Sequence, residues 1–364
     1  MSPQALEPAL RLRGHLSERH EQNGALIGPD YGVRLNYRLG RFVKSYLRAL
    51  PWRDHLYYLQ AQGYWTLANW SLASLTGDER FGATALECSR EMLRRQLPDG
   101  SWLYPHPGWK GRIATAEGSW AAIGLLASHA HSGDQQFLAG ALRWHAFLEQ
   151  HIGWQRANDG LAVNYFGDRS GSAVPNNSVL VLRLLAALAT ATGDEGHLAR
   201  APQVLAFLGS AQQPSGELPY SVGEGGRPHF QCYQYNAFQA LDLTAYIELS
   251  GDEGARAIVT GLARFIRAGL RPDGSLPYAC HEPYPEVPYH LAAAAAALRA
   301  IASLESGGGG REDSERAYRR LLSHQAPNGG FPHSLRDYRL LSDRRSYPRS
   351  QAMILNHLLL GAAD

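Results

Sequence analysis

The chain has 364 residues, 35 of them basic and 33 acidic, for a net charge of +2 with no long block of one sign. That balance argues against an electrostatic surface for nucleic acid or anionic lipid. A composition of 45% hydrophobic and 19% charged residues argues against intrinsic disorder.

The stretch Met1 to Gly24 is polar, carries Arg11, Arg13 and Arg19, and has no apolar core of the kind a secretory leader needs. No run of eighteen apolar residues follows, the best candidate, Leu291 to Leu304, being Ala-rich and interrupted by Arg299. Cys88, Cys232 and Cys280 fit a reducing compartment better than a disulfide framework. A soluble, cytoplasmic protein is expected. Residues 1–33 read as an N-terminal arm, mobile or forming an irregular cap.

From Tyr37 to Leu50 apolar residues recur at helical spacing until Pro51 stops them, which predicts an outer, amphipathic helix. Leu56 to Leu75 is apolar on most sides and predicts an inner, buried partner. The alternation continues, with outer helices expected near 79–96, 135–151, 195–212, 253–269 and 312–325. Inner helices are expected near 115–131, 176–191, 232–249, 286–304 and 347–361.

Two turn signals punctuate this alternation in phase. Thr76-Gly77-Asp78 returns as Ser132-Gly133-Asp134, Thr192-Gly193-Asp194 and Ser250-Gly251-Asp252, with Ser306-Gly307 as a worn copy. About two dozen residues after each comes a second marker: Asp99-Gly100, Asp159-Gly160, Ser215-Gly216, Asp273-Gly274 and Asn328-Gly329. A repeat of about 57 residues holds two helices and two connections. Six such hairpins predict an all-α (α/α)6 toroid, a single domain over 34–364. Closure is favoured over an open solenoid because the last inner helix, with Met353, Ile354, Leu355, Leu358, Leu359 and Leu360, lacks a polar capping face. The links from outer to inner helix are the long ones, so one rim of the ring carries all the long loops, beside the N-termini of the inner helices. Sites are usually built on such loops.

At these loops Gln96-Leu97-Pro98-Asp99-Gly100-Ser101-Trp102 resembles the Gln-x3-Gly-x-Trp repeat of terpene cyclases, and Gln212 to Leu218 and Gln325 to Phe331 are weaker versions. The resemblance is to the wider superfamily of α/α toroids, which includes terpenoid cyclases, protein prenyltransferases, uronate lyases and epimerases, and lanthionine cyclases. It implies the hairpin architecture and a structural role for the motif, tying a helix end to its turn.

The starts of the inner helices present free backbone N–H groups and first-turn side chains to the mouth of the ring. Tyr58, Gln62, Trp109, Arg112, Glu117, Tyr165, Asn176, Asn177, His229, Gln234, Tyr235, Glu282, Glu286, Tyr289, His290 and Arg349 fall there or on the adjoining loops. A lining so rich in hydroxyl, amide, imidazole and guanidinium groups suits a carbohydrate or another polar small molecule. Any one of these residues could instead be a helix cap or a satisfied core group. Abstraction of the proton beside a uronate carboxyl needs a group that neutralises the carboxylate, a base and an acid. Arg112, Arg349 and Asn177 could fill the first role, and Tyr235, Tyr289, His290 and Glu117 supply the acid–base candidates. The set is similar in kind to that of uronate C5-epimerases and lyases, which implies lyase or epimerase chemistry without a cofactor.

Other readings stay open at this point. A glycoside hydrolase would use two carboxylates among Glu117, Glu282 and Glu286. A terpenoid cyclase would need an aspartate pair, and the chain has no Asp-Asp. Cys232 with Cys280 and His281 resembles the zinc ligands of lanthionine cyclases, which implies a possible zinc site with an open fourth position. The ring could also bind a glycan without turning it over.

Overall fold

The structure is a computed structural model that describes residues 3–33, 54–109, 111–168, 172–223, 232–277, 286–304, 309–337 and 341–362. Among these residues twelve α-helices alternate between two layers. The inner layer is α2 (Leu59–Thr76), α4 (Thr115–Ser132), α6 (Pro175–Thr192), α8 (Cys232–Ser250), α10 (Pro288–Leu304) and α12 (Pro348–Ala362). Each inner helix packs on the next and α12 packs on α2, so the ring closes. The outer layer is α1 (Pro3–His20), α3 (Glu79–Arg95), α5 (Gln135–Phe147), α7 (Ala201–Ala211), α9 (Arg256–Gly269) and α11 (Gly309–Leu322). The (α/α)6 toroid is therefore the observed architecture. The six consecutive alanines Ala292–Ala297 of α10 are fully buried, which is possible because an inner helix meets neighbours on nearly every side.

The arm expected over residues 1–33 is corrected. α1 carries the stripe Ala9, Leu12 and Leu16, fully buried against the ring, and packs on α12. It is followed by a small antiparallel hairpin, β1 (Glu21–Gln22) with β2 (Ala25–Leu26). Trp65 donates its indole N–H to the Gly24 carbonyl at 3.0 Å. Arg13 lies over the rings of Trp65 and Phe81. The outer helix expected over Tyr37 to Leu50 lies outside the described residues, and α1 occupies an outer position.

The first repeated turn works by local chemistry. At Thr76-Gly77-Asp78 the threonine hydroxyl donates to the Leu72 carbonyl at 2.7 Å and accepts the Asp78 N–H at 3.2 Å. Gly77 takes φ +71° and ends α2, and Asp78 accepts the Arg80 N–H to cap α3. The copies at Ser132, Thr192 and Ser250 repeat all these bonds.

The second turn fastens one outer helix to the next. The Gln96 amide donates to the Gly100 carbonyl and to the Gly140 carbonyl of α5, both at 2.9 Å. Gln212 does the same with Gly216 and Ile258 of α9, and Gln325 with Gly329 and Pro8 of α1. The structural role implied for the Gln-x3-Gly motif is what these contacts perform, and the last of them joins α11 to α1. At the third copy, Asp159-Gly160, the turn instead connects β3 (Trp154–Ala157) and β4 (Gly160–Val163). Two outer helices start later than expected. Residues 195–198 form a 3-10 turn before α7, where Pro202 falls in the first turn, and residues 253–255 form another before α9.

The long loops lace together around one rim through single bridges of Gly28 to Leu56, Ala114 to Phe166 and Ala173 to Val222. Among the described residues no helix is long and apolar enough to cross a membrane.

Candidate functional site

Inner helices starting on one rim bring their first turns toward one axis. α2 begins after Tyr58, which offers its neighbours no side-chain cap. Its orphan N–H groups are taken by the next inner helix. Glu117, in the first turn of α4, accepts the Gln60 N–H at 3.2 Å and also that of Leu59. Burial pushes the Glu117 carboxyl up to about 7, against Arg349 and the two backbone donors.

Arg349, in the first turn of α12, holds Asp30 in a two-pronged contact at 2.7 and 2.8 Å and reaches the Gln60 side chain at 3.3 Å. Its guanidinium lies over the rings of Tyr31 and Tyr58. The segment 27–33 is thereby fastened as a strap beside the starts of α2, α12 and α10. Tyr31 stacks on His333 with ring centres 4.4 Å apart and shares a 2.8 Å hydroxyl hydrogen bond with Tyr289 at the start of α10. His290 meets the Tyr289 ring edge-on at 4.4 Å, and His333 lies parallel to that ring at 5.8 Å. Tyr347 closes the group against His333 and Tyr31.

The remaining phenols stand around this core. Tyr104 meets Tyr58 edge-on, and Tyr220 packs on Tyr235 of α8. Tyr104, Tyr165, Tyr220 and Tyr235 all keep partial exposure. Burial raises the phenols of Tyr58, Tyr104, Tyr165 and Tyr235 although Arg349 pulls each the other way. A phenol held in its neutral form donates a hydrogen bond, which suits Tyr235 to the acid role among those considered for it.

Tyr58, Glu117, Tyr165, Tyr235, Tyr289, His290 and Arg349 thus converge. Trp109 stands at the edge as part of an exposed aromatic shelf with Tyr104 and His106. Asn177 and Gln234 are buried at their helix starts. The Asn177 amide nitrogen, the Gln234 amide oxygen and the Asn176 amide oxygen have no hydrogen-bond partner among the described residues. Such groups call for a ligand or water.

Three expected binding residues have other work. Gln62 is fully buried and clamps the Leu26 N–H and carbonyl at 2.8 and 2.7 Å. Arg112 pairs with Asp168 on the loops and covers the Phe166 ring. Glu286 is held by Arg320 and His324, from the outer helix α11 and the turn after it. His229 and Glu282 lie outside the described residues, as do Cys280 and His281 of the alternative zinc set. Cys232 begins α8, with its side chain likewise outside. No group of three or more metal-binding side chains occurs among the described residues.

Asp30, Tyr31, Tyr104, Tyr220 and His333 were not anticipated. A signal for three of them is present in the repeat. Tyr104, Tyr220 and His333 each stand four residues after the second repeated glycine, at Gly100, Gly216 and Gly329. In these three copies that turn aims the residue four positions on toward the mouth.

Replacing Glu117 with glutamine tests the buried carboxyl. A value raised from 4.5 to about 7 means that the folded state holds this proton more tightly. Stability therefore falls as pH rises between those values, by roughly 3 kcal/mol once the window is passed. Glu117→Gln is expected to flatten that decline and to gain up to this amount at pH 8, read by urea melts at pH 4.5, 6 and 8. Parallel pH curves for the two proteins would show that the carboxyl is not shifted.

No protein-family model matches the chain, and no curated protein aligns with it. Solved structures do. A cellobiose 2-epimerase from Bacillus thermoamylovorans B4167 superposes with a TM-score of 0.76 at 14% identity, covering 99% of both chains. A sugar epimerase from a ruminal bacterium gives 0.74 at 12% identity over 99% of this chain and 100% of its own. A polysaccharide lyase gives 0.68 at 9% identity over 98% and 96%. At such identities these likenesses establish the fold, an α/α toroid of the kind found in carbohydrate-active enzymes.

Proposed function

We propose that the chain is a carbohydrate-active enzyme of the epimerase or lyase type, which withdraws a proton from the carbon beside a sugar carbonyl or carboxyl group. The observation that carries this reading is the pair of imidazoles, His290 and His333, packed against the same Tyr289 ring in a mouth lined by protonated phenols. The toroid epimerases and lyase of like fold support it.

Within that class a neutral reducing sugar is favoured over a uronate. Arg349 is engaged by Asp30 and Arg112 by Asp168, so neither stands ready for a substrate carboxylate. For a reducing sugar in its open form, one imidazole would take the proton from C2. The C–H electron pair would form the C1–C2 double bond, and the carbonyl oxygen would take up charge against a phenol such as Tyr235. The other imidazole would return a proton to the opposite face, giving the C2 epimer. Asn177, with its amide nitrogen unpartnered, would orient a sugar oxygen.

Cellobiose, glucose, mannose and uronate oligosaccharides incubated with the enzyme in D2O test this. The expected result is deuterium at C2 with appearance of the epimer. His290→Ala and His333→Ala are each expected to lower kcat by about 10²–10⁴-fold with little change in KM. Unsaturated products from uronates would move the reading to the lyase branch, and binding without exchange in any sugar would refute catalysis of this type.

A further inference from the structure

The bore has a second opening, at the face of the short Gly-Asp turns. A belt of rings crosses it partway down. Trp120 of α4 packs at a tilt on Tyr64 of α2 with ring centres 4.0 Å apart, Tyr64 meets His357 of α12, and His357 meets Phe238 of α8. Arg183 of α6 lies over Trp120 and pairs with Asp242 of α8 at 2.8 Å. Within and below this belt is a cavity of about 270 Å³. It opens past Glu248 and Ser303, both exposed. On α8, Tyr235 of the long-loop mouth and Glu248 of this rim are thirteen residues apart, about 20 Å along a helix axis. The two openings are distinct places.

The lining has the marks of an unfilled binding site. Thr244 is 2% exposed and His357 1%. Both line the cavity, and the Thr244 hydroxyl and the His357 Nδ1 have no hydrogen-bond partner among the described residues. Buried polar atoms of this kind are costly unless something enters to bond them. Burial, with Arg183 nearby, pushes His357 down to about 3, so it is a neutral imidazole. The charged lining residues balance, Arg183 and Arg299 against Asp242 and Glu248. An anion or a cation would therefore find no net attraction. Trp120, Tyr64 and Phe238 add apolar ring surface to the lining beside these polar groups. The volume is at the small end for a ligand pocket.

We propose that this opposite mouth is a second binding site, for a neutral, hydroxylated molecule of monosaccharide size. The ligand stacks an apolar face on the aromatic belt and bonds the Thr244 hydroxyl and the His357 ring.

The test is a ligand-detected NMR titration of the full chain with D-glucose, D-mannose and D-galactose. Saturable binding of at least one sugar is expected. Thr244→Val should weaken it about three- to tenfold, the worth of one hydrogen bond, without lowering Tm, since it deletes a hydroxyl that has no partner among the described residues. Ala245→Trp, which fills the cavity, should abolish it, and Asn177→Ala, which removes the amide proposed to orient sugar at the other mouth, should leave it unchanged. No saturable binding, or binding weakened in Asn177→Ala and indifferent to Thr244→Val, overturns the proposal. In the first case the cavity holds water alone, and in the second the sugar sits at the long-loop mouth.

Discussion

Replacing Arg349 with methionine is expected to cost about 3–5 kcal/mol of folding stability and to abolish turnover. Asp30 is 1% exposed, and both its oxygens face the Arg349 guanidinium. Without that cation a buried carboxylate loses its main compensation, which is the costly way to break an ion pair. The same change releases Tyr31, which stacks on His333 and bonds Tyr289, so the two imidazoles lose their common support. The double variant Asp30→Asn/Arg349→Met separates the effects. It is expected to recover most of the stability, because neither charge of the pair remains, and little of the activity. Urea melts and turnover on the three proteins give the answer. If Arg349→Met alone melts like the parent, the strap is held by something other than this pair.

Gly329→Ala is expected to be nearly as damaging for a different reason. Gly329 has φ +82°, and a Cβ there would lie 2.3 Å from the Arg11 carbonyl oxygen of α1. The left-handed backbone costs an alanine about 1–2 kcal/mol. The collision with main chain adds the loss of the two Gln325 hydrogen bonds to Gly329 and Pro8, worth roughly 1 kcal/mol each. A total near 3–4 kcal/mol is expected. Gly77→Ala is the matched control, with φ +71° and nothing within 4 Å of the added carbon, so backbone strain alone should appear. Equal losses in the two variants would mean that the contact of the second turn with the next outer helix carries no stability.

The different legibility of these parts follows from where their determinants lie. The Ser/Thr-Gly-Asp turn completes its hydrogen bonds within a few residues, so its copies could be seen and the inner and outer helices counted from it. α1 could not be placed that way. Its buried stripe is only Ala9, Leu12 and Leu16, Pro8 interrupts it, and its partners are α12 and Gln325 at the far end of the chain. It is also separated from α2 by residues 21–58, a longer link than any other between outer and inner helix, which put it out of phase with the repeat.

The site divides along the same line. The convergence of Tyr58, Glu117, Tyr235, Tyr289 and Arg349 was legible because helix starts on one rim must come together. Asp30 and Tyr31 were hidden by the misreading of their segment, and His333 by lying on an irregular loop. Gln62 and Glu286 show the opposite error. A polar residue near a helix start can as well clamp a backbone or anchor an outer helix, and only tertiary contacts distinguish the two uses.

The seam between α1 and its neighbours α11 and α12 has a consequence for the order of assembly. Among the described helices, the earliest in the chain has its docking partners among the last. At about 5–20 residues per second, roughly 15 to 70 s separate the emergence of the two sides of the seam. Through that interval the hairpins in between can stack on one another in succession, because each touches its predecessor. The apolar stripe of α1 and the open flank of α2 wait uncovered, the surface most in need of a chaperone, and the ring shuts in a single late step dominated by contacts of the greatest sequence separation.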